Sequence, residues 1–295
     1  MKILVTGANG FIGQAFTRRL GTQSNVSLIG IVRGDVHGLE AACQIVKADL
    51  SVRGWTEVVP QGVDTVVHLA QSRRYRDFPN GASDMVALNV DATFELVQWA
   101  SQHRVKRFIF ASTGNVYAAS RDFLVEESHC EPASMYAVTK LCGESLVRQY
   151  ASHLEVVIVR LFGVYGPNQR GMLISNLIEQ VEKKEEVCLA QGVGLYLTPL
   201  YIDDCVDMLC RLVTEGPLGS VIYNLSGSEE LSLAQIVSGI GSVMMQQPRL
   251  KNIEGEPLYL LGSNKKFARD FGFSPRIAFE DGIDRTVRAR HFVSG

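Results

Sequence analysis

Short apolar runs, rich in β-branched residues, alternate with helix-like stretches along the first half of the chain. The runs are KILVTG at 2–7, VSLIGIV at 26–32, DTVVHLA at 64–70, RFIFAS at 107–112 and EVVIVRLF at 155–162. The helix-like stretches span 11–21, 84–103 and 135–152. Strands that are apolar on both faces and alternate with helices indicate a parallel sheet covered on both sides. The pattern predicts an α/β fold with a doubly wound sheet, whose ligands lie at the carboxyl ends of the strands.

The alternation loosens after VYGPNQRG at 164–171. Helix-like patterns recur at 172–186, 204–214 and 232–245, and strand-like runs at 199–204 and 221–227. We therefore predict a larger domain from 1–168 plus 199–229, and a smaller C-terminal lobe from 169–198 plus 230–295.

A glycine-rich turn, VTGANGFIG, joins the first predicted strand to the first helix, with Gly7, Gly10 and Gly13 at regular spacing. Missing side chains let the backbone turn tightly and approach a pyrophosphate at the helix N-terminus. The alternative is a tight turn without a ligand. Between a strand and a helix, the pattern favours a dinucleotide site of the Rossmann type.

The end of the second strand bears on which dinucleotide binds. An acidic residue there would bond the ribose 2′-hydroxyl, whereas an arginine accommodates a 2′-phosphate. Here Val32 takes the acidic position, Arg33 follows, and Asp35 comes two residues later. NAD(P) is predicted, with NADP slightly favoured by Arg33, although a loop arginine can also be merely solvated. Asp49, in KADL, could accept from the adenine amino group or cap its loop.

The stretch SMYAVTK at 134–140 places Tyr136 and Lys140 four residues apart. On a helix these positions share a face. A lysine ammonium beside the phenol would favour the phenolate and lower the pKa of Tyr136, which suits acid–base work. The alternative is a packed tyrosine and a solvated lysine.

Composition excludes several other classes of function. A formal charge of −2 over 295 residues gives no global field for nucleic acid or anionic membranes. The six cysteines form no cluster with histidine, so no metal site is predicted. The N-terminus enters a strand at once, and no run of about 18 apolar residues occurs. We expect a cytoplasmic protein with no membrane or nucleic-acid partner.

Nine segments in order resemble the extended short-chain dehydrogenase/reductase family, especially its nucleotide-sugar epimerase/dehydratase branch. They are TGANGFIG, ADL, VVHLAQ, NVDAT, ASTGNVY, YAVTK, RLFGVYGP, YIDD and FGFSPRIAFEDGI. The likeness covers nearly the whole chain. It implies that the larger domain binds a dinucleotide and that the smaller lobe binds substrate.

The resemblance also implies roles for individual residues at the cofactor. The expected pyrophosphate, adenine and cofactor-wall residues are Gly7, Gly10, Phe11, Ile12, Gly13, Asp49, Leu50, Leu69, Ala70 and Gln71. Arg73 falls where relatives carry a phosphate-reaching lysine, although SRRYR at 72–76 could be a solvated loop. Asn89 would support the active-site hydrogen bonds, or else cap a helix.

The resemblance implies a catalytic set of Thr113, Tyr136 and Lys140. Lys140 would bind the nicotinamide ribose and lower the pKa of Tyr136, while Thr113 would hold the substrate oxygen. Candidate substrate contacts are Asn115, Tyr165, Arg170 and Tyr201.

The chain departs from the family pattern at several positions. Sugar 4,6-dehydratases place an acidic pair after the catalytic threonine, where this chain has Gly114 and Asn115, so dehydration is not expected. The arginines that grip the substrate diphosphate are replaced by the stretch Leu197–Thr198 and by Ile253. The clamp is either rebuilt from Arg170, Arg249 or Lys251, or absent.

Three functions fit these residues. The first is an NAD(P)-dependent reductase of a 4-keto nucleotide sugar, and the second is an NAD-dependent nucleotide-sugar 4-epimerase. The third is a non-catalytic dinucleotide-binding protein. The resemblance also implies a homodimer, since the family commonly dimerises by pairing two helices per subunit, here 84–103 and 135–152. Both helices carry more apolar residues than one core face needs, although these residues could simply pack on the sheet. These residues are Met85, Leu88, Phe94, Val97, Trp99, Val138, Leu141, Leu146 and Val147.

Overall fold

The computed structural model describes residues 1–34, 39, 41–215 and 219–291, so Asp35 lies outside the described residues. The strands are β1 Lys2–Thr6, β2 Ser27–Val32, β3 Gln44–Lys47, β4 Thr65–His68, β5 Arg107–Thr113, β6 Glu155–Leu161, β7 Val164–Tyr165, β8 Glu186–Ala190, β9 Leu195–Leu197, β10 Leu200–Tyr201, β11 Val221–Leu225, β12 Leu231–Ser232, β13 Arg249–Ile253 and β14 Leu258–Leu260. The α-helices are α1 Phe11–Gly21, α2 Ala82–Val86, α3 Ala92–Gln102, α4 Met135–Arg148, α5 Leu173–Glu182, α6 Ile202–Thr214, α7 Leu233–Met244, α8 Lys265–Phe271 and α9 Phe279–His291.

A seven-stranded sheet with strand order β11-β6-β5-β4-β1-β2-β3 confirms the predicted doubly wound fold. β1 pairs in parallel with β2 on one side and β4 on the other, so that Leu4 lies opposite both Ile29 and Val66. All three side chains are fully buried. The strand order reverses between β1 and β4, and ligands of such sheets bind at the carboxyl ends of the strands beside this reversal.

The predicted helix at 84–103 is not continuous. α2 passes into a π-helical turn at Ala87–Asp91, and α3 follows. Asn89 lies in this turn, is fully buried, and accepts a hydrogen bond from the backbone N–H of Ser72 at 3.1 Å. π-helical turns inside helices often mark functional sites, and this one turns a polar side chain toward the protein interior.

The chain divides into two compact units. Unit 1 comprises Met1–Ala118, His129–Arg160 and Val206–Tyr223, and unit 2 comprises Ala119–Ser128, Leu161–Cys205 and Asn224–Gly295.

Long-range hydrogen bonds explain why unit 2 includes the loop 119–128. Within this unit, Leu124 donates its backbone N–H to Leu261 O at 2.7 Å, and Glu126 accepts from the N–H of Asn224 at 2.8 Å. Among the helices of the described ranges, none combines the length and apolar character needed to cross a bilayer.

Candidate active site

The glycine turn has the backbone shape that the sequence predicted. Gly7 has φ +69°, and a Cβ there would lie 2.8 Å from the backbone nitrogen of Ala70. A Cβ on Gly13 would collide with the carbonyl oxygen of Gly7. Gly10 donates its N–H to that same oxygen at 2.8 Å, and α1 begins at Phe11. The turn leaves a side-chain-free cradle at a helix N-terminus, which suits a phosphate.

The residues expected at the adenosine end lie beside the second and third strands. Asp49 is half-buried, and its carboxylate accepts from the N–H and the hydroxyl of Ser51 at 3.0 and 2.7 Å. These bonds, and then the positive charge of Arg33, hold the pKa of Asp49 below its usual range despite its partial burial. Arg33 is exposed, and Leu50 is buried.

Thr113, at the end of β5, and Tyr136, in the first turn of α4, are brought together as predicted. The Tyr136 hydroxyl donates to Gln71 Oε1 at 2.8 Å and is also hydrogen-bonded with Thr113. The hydroxyl oxygen of Thr113 accepts from the backbone and side-chain N–H groups of Asn115, both at 3.2 Å. Ser134 caps α4 by accepting from Ala137 N–H, which fixes the helix start next to Tyr136.

The pKa of Tyr136 moves opposite to the predicted direction. Burial of the half-buried side chain raises the pKa, while the hydrogen bonds with Thr113 and Gln71 act the other way. Desolvation is the largest cause, because removing water from around the hydroxyl disfavours the charged phenolate. The proposed proton donor is therefore a neutral phenol in this structure.

Lys140 is buried in the protein interior, not solvated. Its side chain is 1% exposed, and Nζ lies 4.3 Å from the centre of the Phe110 ring. Burial lowers the pKa of Lys140 to about 7, against the opposite effect of Glu144. A lysine so placed changes charge near neutral pH, which an exposed lysine does not.

A buried histidine, to which the sequence pattern assigned no role, links the strand ends to the π-helical turn. The Thr6 hydroxyl lies 2.6 Å from His68 Nδ1 and also accepts from Ala70 N–H at 3.3 Å. The Thr93 hydroxyl donates to Asn89 O at 2.9 Å and so accepts from His68 Nε2–H, also at 2.9 Å. These bonds assign the neutral Nε2–H tautomer. Burial, and then the charge of Lys140, lowers the pKa of His68 to about 3.

An acidic residue that the sequence motifs did not indicate lies one helical turn beyond Lys140. Glu144 is fully buried, accepts from the Ser112 hydroxyl, and forms an ion pair with Arg160 at 2.7 Å. The four-residue spacing between Lys140 and Glu144 is visible in the sequence. The partner of Glu144, Arg160 on β6, lies 16 residues further along the chain and beyond a loop, so no local pattern indicates the pair.

The loop after β4 places an aromatic ring against Tyr136. The ring of Tyr75 lies 5.4 Å from that of Tyr136, and the guanidinium of Arg76 lies 5.2 Å from the centre of the Tyr75 ring. Arg73, expected at the phosphates, is exposed in the same loop. The loop therefore brings one aromatic ring and basic side chains to the neighbourhood of Tyr136.

Two of the four residues predicted to contact substrate are packed inside unit 2. Tyr165 is 1% exposed, its ring lies 5.5 Å from that of Tyr201, and its hydroxyl donates to Phe279 O at 3.4 Å. Tyr201 is buried beneath the guanidinium of Arg285, 5.8 Å from its ring centre. Arg170 is exposed on unit 2. Asn115, the fourth, is bonded to Thr113 in unit 1.

One of the positions that lack the expected arginines is packed inside unit 2. Thr198 is fully buried and accepts from the N–H of Gly262 at 3.0 Å. On β13, Arg249 and Lys251 both approach the carboxylate of Glu186, at 3.5 and 3.8 Å. Their charge is therefore partly compensated. Among the side chains described, no group of three or more His, Cys, Asp and Glu residues could hold a metal ion.

Comparison with known proteins matches this chain to one family. A model of the NAD dependent epimerase/dehydratase family covers residues 3–226. YtcB of Bacillus subtilis (strain 168), an uncharacterized UDP-glucose epimerase, is 29% identical over 97% of this chain and 97% of its own length. A dTDP-glucose 4,6-dehydratase of Streptomyces niveus is 28% identical over 97% of this chain and 92% of its own.

Solved structures give the same result. The UDP-glucuronic acid 4-epimerase of Bacillus cereus, in complex with UDP-glucuronic acid and NAD, superimposes with a TM-score of 0.89. That pair is 26% identical, and the superposition covers 99% of this chain and 100% of the epimerase. A dTDP-glucose 4,6-dehydratase of Streptomyces venezuelae, DesIV, with NAD bound, gives 0.87 at 26% identity over 99% and 97% of the two chains.

Proposed function

The chain belongs to the NAD dependent epimerase/dehydratase family, and from that premise we propose that it is an NAD-dependent nucleotide-sugar 4-epimerase. The relatives named above are epimerases and dehydratases, which favours this function over the 4-keto sugar reductase expected first from the sequence. The non-catalytic alternative is disfavoured, because Thr113 and Tyr136 are hydrogen-bonded to each other beside a buried Lys140.

The observation that favours epimerisation over dehydration is the pair of residues after Thr113. Elimination of water needs an acid and a base besides the tyrosine, and dehydratases of this family are expected to carry an acidic pair there. Here Gly114 is buried and has no side chain, and the amide of Asn115 is bonded to the Thr113 hydroxyl. Neither residue can transfer the protons that elimination requires.

The glycine turn fits the cofactor of this family. Side chains at Gly7 or Gly13 would collide with neighbouring backbone and distort the turn, and the N–H groups at the start of α1 suit a pyrophosphate. When bound, NAD would take a hydride from the substrate carbon and give it back. We propose NAD because the similar solved structures contain NAD. The preference for NADP suggested by Arg33 stays a prediction.

The chain itself would orient the substrate and provide one group that exchanges a proton with it. The Tyr136 hydroxyl would exchange a proton with the sugar 4-oxygen, because it is the titratable group bonded to Thr113. The Thr113 hydroxyl would hydrogen-bond that same oxygen and keep it near Tyr136. Lys140, when protonated, would favour the phenolate form of Tyr136 during the transfer.

We propose a UDP-linked hexose or hexuronic acid as the substrate. This rests on the epimerase relatives, which are described as acting on UDP-glucose and UDP-glucuronic acid. Arg73 and Arg76, in the loop beside Tyr136, and the exposed Arg170 of unit 2 are candidates for the anionic groups of such a molecule. Asn115 remains a proposed contact to the sugar. Tyr165 and Tyr201 would reach a substrate only if their packing changed.

The proposal is tested by incubating the purified protein and NAD with UDP-glucose, UDP-glucuronic acid and dTDP-glucose separately. Products are then identified by chromatography and NMR. A 4-epimer formed without net accumulation of NADH is expected, and Tyr136→Phe should lower kcat by roughly 10²–10⁴-fold. A 4-keto-6-deoxy sugar would instead assign a dehydratase. NADPH consumption with a 4-keto sugar nucleotide would restore the reductase.

We also propose a homodimer that forms through α2, α3 and α4. Of the apolar residues expected at this face, Met85, Val97 and Trp99 pack inside unit 1, whereas Phe94 and Val138 stay exposed. Val86, on α2, is exposed as well. Large apolar side chains on adjoining helices suit contact with a second copy of the chain.

A further inference from the structure

We propose that Glu144 is a positioning residue for catalysis, which acts through its ion pair with Arg160 and its hydrogen bond from Ser112. The inference rests on the proposed function, because it concerns the lysine and threonine assigned there. Glu144 touches neither substrate nor cofactor in this role. It would set where Lys140 and Thr113 lie and what charge Lys140 carries.

The geometry places Glu144 between the two catalytic elements. It lies one helical turn beyond Lys140 on α4, so both side chains share a face of that helix. Its Oε1 accepts from the hydroxyl of Ser112, the residue directly before Thr113 on β5. One carboxylate oxygen therefore joins the helix of Lys140 to the strand of Thr113.

Arg160, on β6, holds Glu144 in a single orientation. Its Nε donates to Oε1 at 3.1 Å, and its Nη2 donates to Oε2 at 2.7 Å. The two side chains are 0% and 3% exposed. The guanidinium also lies 4.5 Å from the centre of the Tyr117 ring. Such a two-pronged pair fixes a carboxylate far more firmly than one hydrogen bond would.

The same pair shapes the electrostatics around Lys140. The titratable groups that interact electrostatically with Lys140 are Glu144 on α4 and His68 on β4. Tyr136 shares the helix of Lys140, and Glu144 pairs with Arg160 on β6, which has Tyr117 and Cys130 beside it. His68 is neutral at physiological pH and Tyr136 is a neutral phenol. Glu144 is therefore the anion that favours a charged Lys140, and its own charge is shared with Arg160 through the ion pair.

Replacing Glu144 by glutamine separates this role from a merely structural one. Glu144→Gln keeps the shape and the Ser112 contact but leaves the Arg160 charge uncompensated beside Lys140. The pKa of Lys140 should then fall by roughly one unit. In the double variant Glu144→Gln/Arg160→Gln both charges are gone. The pKa of Lys140 should then return most of the way to its wild-type value, and the double variant should be more stable than Glu144→Gln.

The readout is NMR of the lysine side-chain ¹³Cε and ¹⁵Nζ in the protein without added ligands, titrated between about pH 5 and pH 10, the range in which a lowered lysine pKa falls. The signal of Lys140 is assigned with Lys140→Met. Glu155→Gln is the matched control, because Glu155 pairs with Arg107 at 2.8 Å and is also partly buried in unit 1. The control should reduce stability and leave the Lys140 titration unchanged.

Activity supplies the second readout. In wild type the alkaline limb of the kcat profile should follow the loss of the Lys140 proton. That limb should move to lower pH in Glu144→Gln, with KM changed less than threefold. An unchanged Lys140 titration in folded Glu144→Gln overturns the inference, as does a shift that Glu155→Gln reproduces. The NMR result holds whatever the reaction is, whereas failure of the wild-type protein to epimerise any sugar nucleotide counts against the proposed function alone.

Discussion

The side-chain amide of Asn89 donates a hydrogen bond of 3.0 Å to the hydroxyl of Thr139, which joins the π-helical turn to α4. Thr139 in turn donates to the backbone carbonyl of Tyr136 at 2.9 Å. The other end of the Asn89 amide accepts from the N–H of Ser72, at the start of the loop that carries Tyr75. One buried side chain thus sets the loop after β4 and the catalytic helix relative to each other.

Asn89→Ala should destabilise the protein by roughly 1–3 kcal/mol, because it leaves the buried N–H of Ser72 and the hydroxyl of Thr139 without this partner. The free energy of unfolding in urea measures the loss. Asn80→Ala is the control, since Asn80 is exposed and bonds to Asp77 at 3.3 Å. If both variants unfold at the same urea concentration, Asn89 does not fasten these elements.

Gly143→Ala should impair both stability and turnover. A Cβ at Gly143 would lie 2.7 Å from Phe110 Cζ and 3.0 Å from the carbonyl oxygen of Asn89, so α4 must move away from β5. Overpacking of this kind costs about 1–3 kcal/mol. Lys140 rests on the same Phe110 ring, so we expect kcat to fall more than tenfold.

Cys142→Ala controls for the Gly143 variant, because Cys142 is the exposed neighbour on the same helix. It should retain wild-type stability and activity. Thermal unfolding and initial-rate kinetics on both variants make the comparison. A Gly143→Ala protein with an unchanged melting temperature would show that the helix tolerates the extra methyl group.

His68 should make the protein less stable as the pH falls. The folded state keeps His68 neutral down to about pH 3, whereas the unfolded chain protonates it below its ordinary pKa of about 6.5. Between these values the unfolded state binds more protons, so the free energy of unfolding decreases with falling pH. The contribution is fully present above the ordinary pKa.

His68→Gln removes this titration while keeping polar atoms between Thr6 and Thr93. Urea unfolding measured from about pH 4 to pH 7, the window in which the folded and unfolded states differ in protonation, should show a shallower dependence on pH than wild type. The variant will be less stable at neutral pH, so the slope and not the absolute value is the test. If wild type and His68→Gln show the same dependence of stability on pH, His68 takes up its proton over the same pH range in the folded protein as in the unfolded chain.

Local patterns predicted those features that depend on residues close in the sequence. The G-x-x-G-x-x-G spacing gave the turn at Gly7 and the start of α1, and the four-residue spacing gave the shared helix of Tyr136 and Lys140. The alternation of apolar runs and helices gave the parallel sheet. Each of these follows from backbone periodicity or from glycine's conformational freedom.

Tertiary packing decided the rest. No local pattern shows that Lys140 lies on Phe110 or that Glu144 meets Arg160, because the partners come from different strands. The direction of the Tyr136 pKa was mispredicted for the same reason, since desolvation depends on everything that surrounds the ring. Tyr165, chosen as a substrate contact from its motif, is buried against Phe279, far along the chain.

Phe94→Glu and Val138→Glu should convert the proposed homodimer to a monomer. Both side chains are about two-fifths exposed, on α3 and α4, and a charge at the centre of an apolar contact is expensive to bury. Sedimentation velocity reports the mass. Phe123→Glu, at a similarly exposed phenylalanine of unit 2, is the matched control and should leave the mass unchanged. A wild-type protein that sediments as a monomer at every concentration rules out the dimer.

The Arg33→Ala variant distinguishes NAD from NADP as the cofactor. Arg33 is exposed just after β2, where its guanidinium could pair with a 2′-phosphate, and it also lies close enough to Asp49 to lower the pKa of that carboxylate. If NAD is the cofactor, the substitution should change the Kd for NAD less than threefold, because no charge-assisted bond is lost. For NADP, the lost ion pair should weaken binding by roughly tenfold or more. Calorimetric titration of wild type and variant with each dinucleotide gives four dissociation constants. Tighter wild-type binding of NADP than of NAD, abolished in the variant, would assign NADP and reopen the reductase.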